Sequence, residues 1–164
     1  MRRWARGDGF QPDVLHRAFG ATTTLQSYGL EPGGPWGPRF TEIPPAHRRF
    51  FLDLPLVLDL QVSGNRFWVI HAGVHRRTTL EPGLTADTVV PWLVENEPWD
   101  LTWVGGDIES CRQIGRPVIY GHTPHLKPQA TDRAIAIDTG CGTWASGALT
   151  AVVLPERRFI SVTV

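Results

Sequence analysis

The sequence has no excess of charge of either sign: its 164 residues hold 16 Lys and Arg against 16 Asp and Glu. A uniformly basic field is excluded, and with it the sequence-wide signal for nucleic-acid or anionic-membrane partners. Cysteine is scarce. The two present, Cys111 and Cys141, form neither a disulfide framework nor a C-x-x-C metal pair, and a reducing, cytoplasmic environment is expected. Long apolar runs are missing too; the longest are of strand length, far below the ~20 residues of a membrane helix. The opening MRRWARGDGFQPD has charge but no apolar block behind it, so no secretory leader is read there. No internal repeat or low-complexity tract is found.

What is present fits a soluble globular chain, expected as a single domain over 1–164. Hydrophobic residues make up 41% and charged residues 20%, and this length can bury a core without staples. Seven tryptophans are expected in the core or in pocket walls. Helical spacing marks 10–19, ending at Gly20, and 44–53, opening on proline. Residues 30–38 form a Pro/Gly loop. Residues 86–97 read as an amphipathic helix and 107–114 as a second short one. Apolar runs at 57–62 and 67–73 flank Ser63-Gly64-Asn65, a hairpin turn. Further strands are expected at 118–121, 134–138, 148–154 and 159–164, with Glu156-Arg157-Arg158 joining the last two. The fold class is mixed α/β (α+β), with helices early and a mixed to antiparallel sheet late.

Two segments share one design. In FWVI-His71-Ala72-Gly73 an apolar strand ends in a histidine followed by small residues, and VIY-Gly121-His122-Thr123-Pro124 repeats the arrangement. A strand-terminal histidine sits at a sheet rim, fixed by the scaffold yet open to solvent. Imidazole is a common ligand of divalent transition metals. Singly, each is better explained as a satisfied structural histidine; as a pair with these flanks, metal ligation is favoured. His125 follows the Thr-Pro turn and is a candidate phosphate contact, against the plainer reading of an exposed loop histidine. His16 reads as a helix-surface residue. Asp138 ends an apolar strand and is expected to fix the turn at Thr139-Gly140. Cys141 is read as packing.

The ordered segments resemble the bacterial Ser/Thr phosphoprotein phosphatase and diadenosine tetraphosphatase branch of the calcineurin-like metallophosphoesterases. Thr22 to Gly29 resembles the loop after that family's Asn-His metal motif, and Phe67 to Val74 its His-Ala-Gly block. Val118 to Pro124 resembles its Gly-His-Thr-Pro block, and Ile137 to Cys141 with Gly147 to Ala151 its closing strands. The resemblance implies half of a two-sheet sandwich flanked by helices. It also implies His71 and His122 as ligands of one of two divalent ions, with manganese expected and iron or zinc as alternatives. The substrate would be a phosphoprotein or a small-molecule phosphate ester. His47 matches a structural position.

Three of the family's blocks are absent from the sequence: Asp-x-His, Gly-Asp-x-x-Asp-Arg-Gly and Gly-Asn-His-Glu. The chain is therefore expected to be an N-terminally truncated phosphoesterase, inactive alone and with no catalytic residue assigned. Where the family has an arginine two residues after a tryptophan, Trp103-Val104-Gly105 stands instead. Arg76, Arg77 or Arg112 is then a candidate phosphate clamp, against the plainer reading of solvated loop charges. A binding or regulatory remnant without chemistry is the alternative. Asp138-Thr139-Gly140 taken alone also fits an aspartic protease, whose chemistry requires a second carboxylate. Uncovered apolar sheet surface would favour self-association.

Overall fold

A computed structural model of the 164-residue chain describes residues 21–30, 42–75, 77–103, 108–109, 111 and 114–163. The helix expected at 10–19 and most of the 30–38 loop lie outside these residues. The chain divides into two units, Met1–Leu54 and Pro55–Val164.

In the first unit, α1 spans Ala21–Ser27 and α2 spans Pro45–Asp53. Pro45 at the first helical position lacks only an N–H that a helix would leave unpaired. The segment Thr22 to Ser27, expected as loop, is helical instead. Its turn closes with Tyr28 N–H on the Leu25 carbonyl and Gly29 N–H on that of Gln26, both at 2.9 Å. The Tyr28 hydroxyl bonds His47 Nδ1 at 2.9 Å, and the two rings meet edge to face. This bond ties His47, on α2, to the end of α1.

The second unit is built on a five-stranded sheet in the order β1-β2-β3-β5-β4. The strands are β1 Val57–Val62, β2 Asn65–Ile70, β3 Val118–Tyr120, β4 Gln129–Ala130 and β5 Ala134–Ala136. β1 and β2 form the expected hairpin, with Ser63 and Gly64 in left-handed conformations at the turn. β3 pairs parallel with both β2 and β5, so the later strands are not uniformly antiparallel. Between β2 and β3 come α3, Val89–Asn96, and α4, Pro98–Thr102. α4 was not expected from the sequence; Pro98 separates it from α3. Of the helix expected over 107–114, only 108–109, 111 and 114 are described, as turn and 3₁₀ residues. β6 Ala148–Val153 and β7 Arg158–Thr163 make a separate antiparallel ribbon, turning through 154–157.

Side chains alternate across the sheet with the period of a strand. Trp68, Ile70, Val118, Tyr120, Ala134 and Ala136 face a core completed by Val89, Val90 and Leu93 of α3 and Leu101 of α4. Phe67, Ile119 and Ile135 face the other way, against Val152 and Phe159 of the ribbon. Both faces are therefore covered at the central strands, which is why these short strands are apolar throughout. The expected bare apolar surface lies elsewhere. On the outer side of the ribbon, Leu149, Ile160 and Val162 are exposed, as are Leu58 and Leu60 of β1.

Beside this sheet, Arg116 joins an ionic cluster. Its buried guanidinium contacts Asp59 and Asp87 and lies 4.6 Å from the Trp68 ring centroid, while Arg66 contacts the same two aspartates. Burial of an arginine is tolerated here because its charge is paired on two sides and its plane stacks. Among the described residues no helix is long and apolar enough to cross a membrane.

Candidate functional site

β2, β3 and β5 run parallel as neighbours, and each is followed by a polar residue beyond its C-terminal end: His71, His122 and Asp138. Chain direction and register alone bring the three to one rim. The carboxyl ends of parallel strands are where ligands are bound in open α/β sheets.

Backbone bonds fix the rim. Gly121 N–H donates to the His71 carbonyl at 2.9 Å, tying the end of β2 to that of β3. Ala72 N–H donates to the Leu101 carbonyl at 2.9 Å, anchoring the loop after His71 to α4. The ring centroids of His71 and His122 are 4.9 Å apart, with planes inclined by 60°. His122 has φ +67, a conformation uncommon for a residue with a side chain, of the kind that concentrates at functional sites. Its Nε2 donates to the Trp103 carbonyl at 2.8 Å.

This bond decides what His122 offers. With Nε2 carrying the proton, Nδ1 keeps its lone pair in the neutral ring. A ligating histidine whose other nitrogen is held by a backbone carbonyl is the usual arrangement in metal sites. His71 is pushed below the ordinary imidazole pKa, first by partial burial and then by the neighbouring His122, while Asp138 acts in the opposite sense. It therefore favours the neutral, ligating form. Two imidazoles side by side are the donor type that divalent transition ions take. Among the described residues no group of three or more His, Cys, Asp or Glu is arranged to hold a metal.

The histidines and Asp138 line an open cleft of about 350 Å³. Asp138 fixes the turn as expected, with its Oδ1 accepting from Gly140 N–H at 2.9 Å. Its place in the cleft was missed, although it shares the strand-terminal pattern that singled out the histidines. Among the described residues Asp138 is the carboxylate that lines the cleft, and aspartic-protease chemistry requires two. Thr139 and Thr150 also line the cleft, joined hydroxyl to hydroxyl at 2.6 Å, and Thr150 continues to Ser161 at 2.7 Å. This chain of hydroxyls attaches the β6–β7 ribbon to the rim.

The remaining candidates separate. His125 is half-buried rather than exposed: its N–H donates to the Asp138 carbonyl at 3.0 Å and its Nδ1 meets Gln129 at 3.3 Å. Arg77 is exposed, with its backbone N–H on His75 Nδ1, and nothing places it at the cleft. Arg76, Arg112 and Gly105 lie outside the described residues. Cys141 is exposed, which corrects its reading as a packing residue. The turn around it allows this: Gly140 is left-handed, and a Cβ on Gly147 would lie 1.9 Å from the Gly140 carbonyl oxygen.

No protein-family model matches the chain. It is 31% identical over 157 residues to the bis(5'-nucleosyl)-tetraphosphatase PrpE (asymmetrical) of Geobacillus sp. strain WCH70, covering 90% of this chain and 62% of that protein. It is 35% identical over 97 residues to the protein of that name from Halalkalibacterium halodurans, covering 57% of this chain and 38% of that protein. The chain is a homologue of these tetraphosphatases. The resemblance to the calcineurin-like phosphoesterases, read from the histidine blocks, is thereby supported. The alignments span under two thirds of each relative's length.

Proposed function

We propose that this chain serves a metal-dependent phosphoesterase acting on a bis(5'-nucleosyl) polyphosphate. His71 and His122 would hold a divalent transition ion, with manganese expected. The observation that carries this reading is the convergence of two imidazoles at 4.9 Å at the rim of three parallel strands. The activity for which the relatives are named favours a nucleotide over a phosphoprotein as substrate.

Hydrolysis adds water across a phosphoanhydride: the water oxygen bonds to phosphorus, the bridging P–O bond breaks, and the departing nucleotide takes the proton. A bound divalent ion supplies charge neutralisation and an activated water. The chain's own groups have simpler tasks. Trp103 orients His122 through its carbonyl, and partial desolvation and the neighbouring His122 favour the uncharged form of His71. Asp138, Thr139 and Thr150 present oxygens along the cleft. A two-metal centre also needs a bridging carboxylate, and the described residues contain no ligand group of three. The chain alone is therefore expected to bind a metal ion and to turn over slowly or not at all. The same observation favours, as a second reading, a binding role without chemistry.

Incubation of the purified chain with manganese and diadenosine tetraphosphate, followed by chromatography of products, separates these. Release of mononucleotide products that disappears in His122→Ala supports the hydrolase. Substrate binding without any product favours the binding role, and neither binding nor product removes both. The exposed ribbon face is a further expected contact surface, through which copies of the chain associate.

A further inference from the structure

We propose that Trp99 and Trp103 form a stacking platform for a nucleobase beside the histidine pair; the inference rests on the phosphoester reading above. The two indoles lie one helical turn apart, with centroids 5.5 Å apart and planes inclined by 36°. Trp103 continues towards the rim, its ring 6.0 Å from that of His122. Trp99, Trp103 and His122 thus make a run of three rings leading from solvent to the candidate ion site.

Packing alone does not account for Trp99. α4 has a buried side, occupied by Asp100 and by Leu101 at 0% exposure, yet Trp99 is 41% exposed. Tryptophan carries the largest apolar surface of any side chain, and leaving it in water wastes that burial. An exposed indole ranked behind a second one, next to a site for phosphate, suits a planar ligand attached to phosphate. A nucleoside 5'-phosphate has this shape: its phosphate meets the histidine pair and its base lies across the indoles. Because every base has a π-face, such a platform binds nucleotides with little preference among bases.

The test measures binding of AMP and of ribose 5-phosphate to the chain in manganese by titration calorimetry. The two share a phosphate and a sugar, and only AMP has a base. AMP is expected to bind about tenfold more tightly, as stacking of one base provides. Trp99→Leu is expected to collapse the ratio of the two affinities towards one, with Trp99→Phe intermediate. Circular dichroism verifies that the variants fold. Equal binding of both ligands by the wild type overturns the platform and leaves the phosphate reading standing. A ratio that survives Trp99→Leu also overturns it. Binding of neither ligand removes the functional reading and the platform with it.

Discussion

The carbonyl of Trp103 accepts the Nε2 proton of His122 at 2.8 Å, so the end of α4 sets the tautomer of a histidine 19 residues further along the chain. The same short helix receives Ala72 N–H on its Leu101 carbonyl. One five-residue helix therefore braces the segments that carry both imidazoles. With Nε2 of His122 already committed to a carbonyl, its ring needs little reorganisation when an ion arrives.

His71 is expected to titrate below the ordinary histidine range in the metal-free chain, since burial and His122 both disfavour its charged form. The sign for stability follows. Between the depressed folded value and the ordinary value near 6.5 the unfolded chain binds the extra proton, so stability falls as pH drops through that window. The His71 ring proton shift against pH, followed by NMR, measures this. A midpoint at or above 6.5 contradicts it.

The Asp59, Asp87, Arg66 and Arg116 cluster is expected to matter for folding rather than function. Arg116→Ala leaves two aspartates without their buried partner and uncovers Trp68. The expected loss is ~1–3 kcal/mol, discounted because both aspartates reach solvent. Arg116→Lys recovers only part, because an ammonium neither forks nor stacks in the same way. Urea unfolding of the three proteins reads both effects. Equal midpoints contradict the account.

Two glycines are expected to behave oppositely. At Gly147 a Cβ would collide with the Gly140 carbonyl, whereas at Gly121 the nearest atom would be Asp138 Cβ at 3.5 Å, ordinary contact. Gly147→Ala is expected to cost ~1–3 kcal/mol or more, and Gly121→Ala is expected to be mild. Thermal melts compare them; similar losses contradict the steric argument.

The outer ribbon face, with Leu149 65% and Val162 61% exposed, is directly cross-strand paired and lies on two edge strands. Such edges promote association unless charged. Light scattering is expected to show concentration-dependent oligomers that Val162→Lys reduces. A monomer at all concentrations contradicts this.

Much of this was legible in the sequence because local rules sufficed. Apolar runs bounded by turn residues marked β1, β2, β6 and β7, and Pro45 marked α2. His71 and His122 stood out by repeating one pattern. What was not legible depended on pairing. Parallel pairing of β3 with β2 and with β5 has no local signature, and the β3–β5 pairing brings Asp138 to the cleft. The two-residue β4 has too little sequence to show a period. α4 is only five residues long and follows α3 with the single residue Glu97 between them. The partner of His122 is a main-chain carbonyl, which no side-chain pattern reveals.

Binding of manganese by calorimetry to the wild-type chain, His71→Ala and His122→Ala tests the two-imidazole site most directly. A single ion per chain is expected, with each substitution weakening it by at least ~10-fold, since loss of even a supporting partner costs that much. Absence of binding, or binding indifferent to both substitutions, would contradict the account.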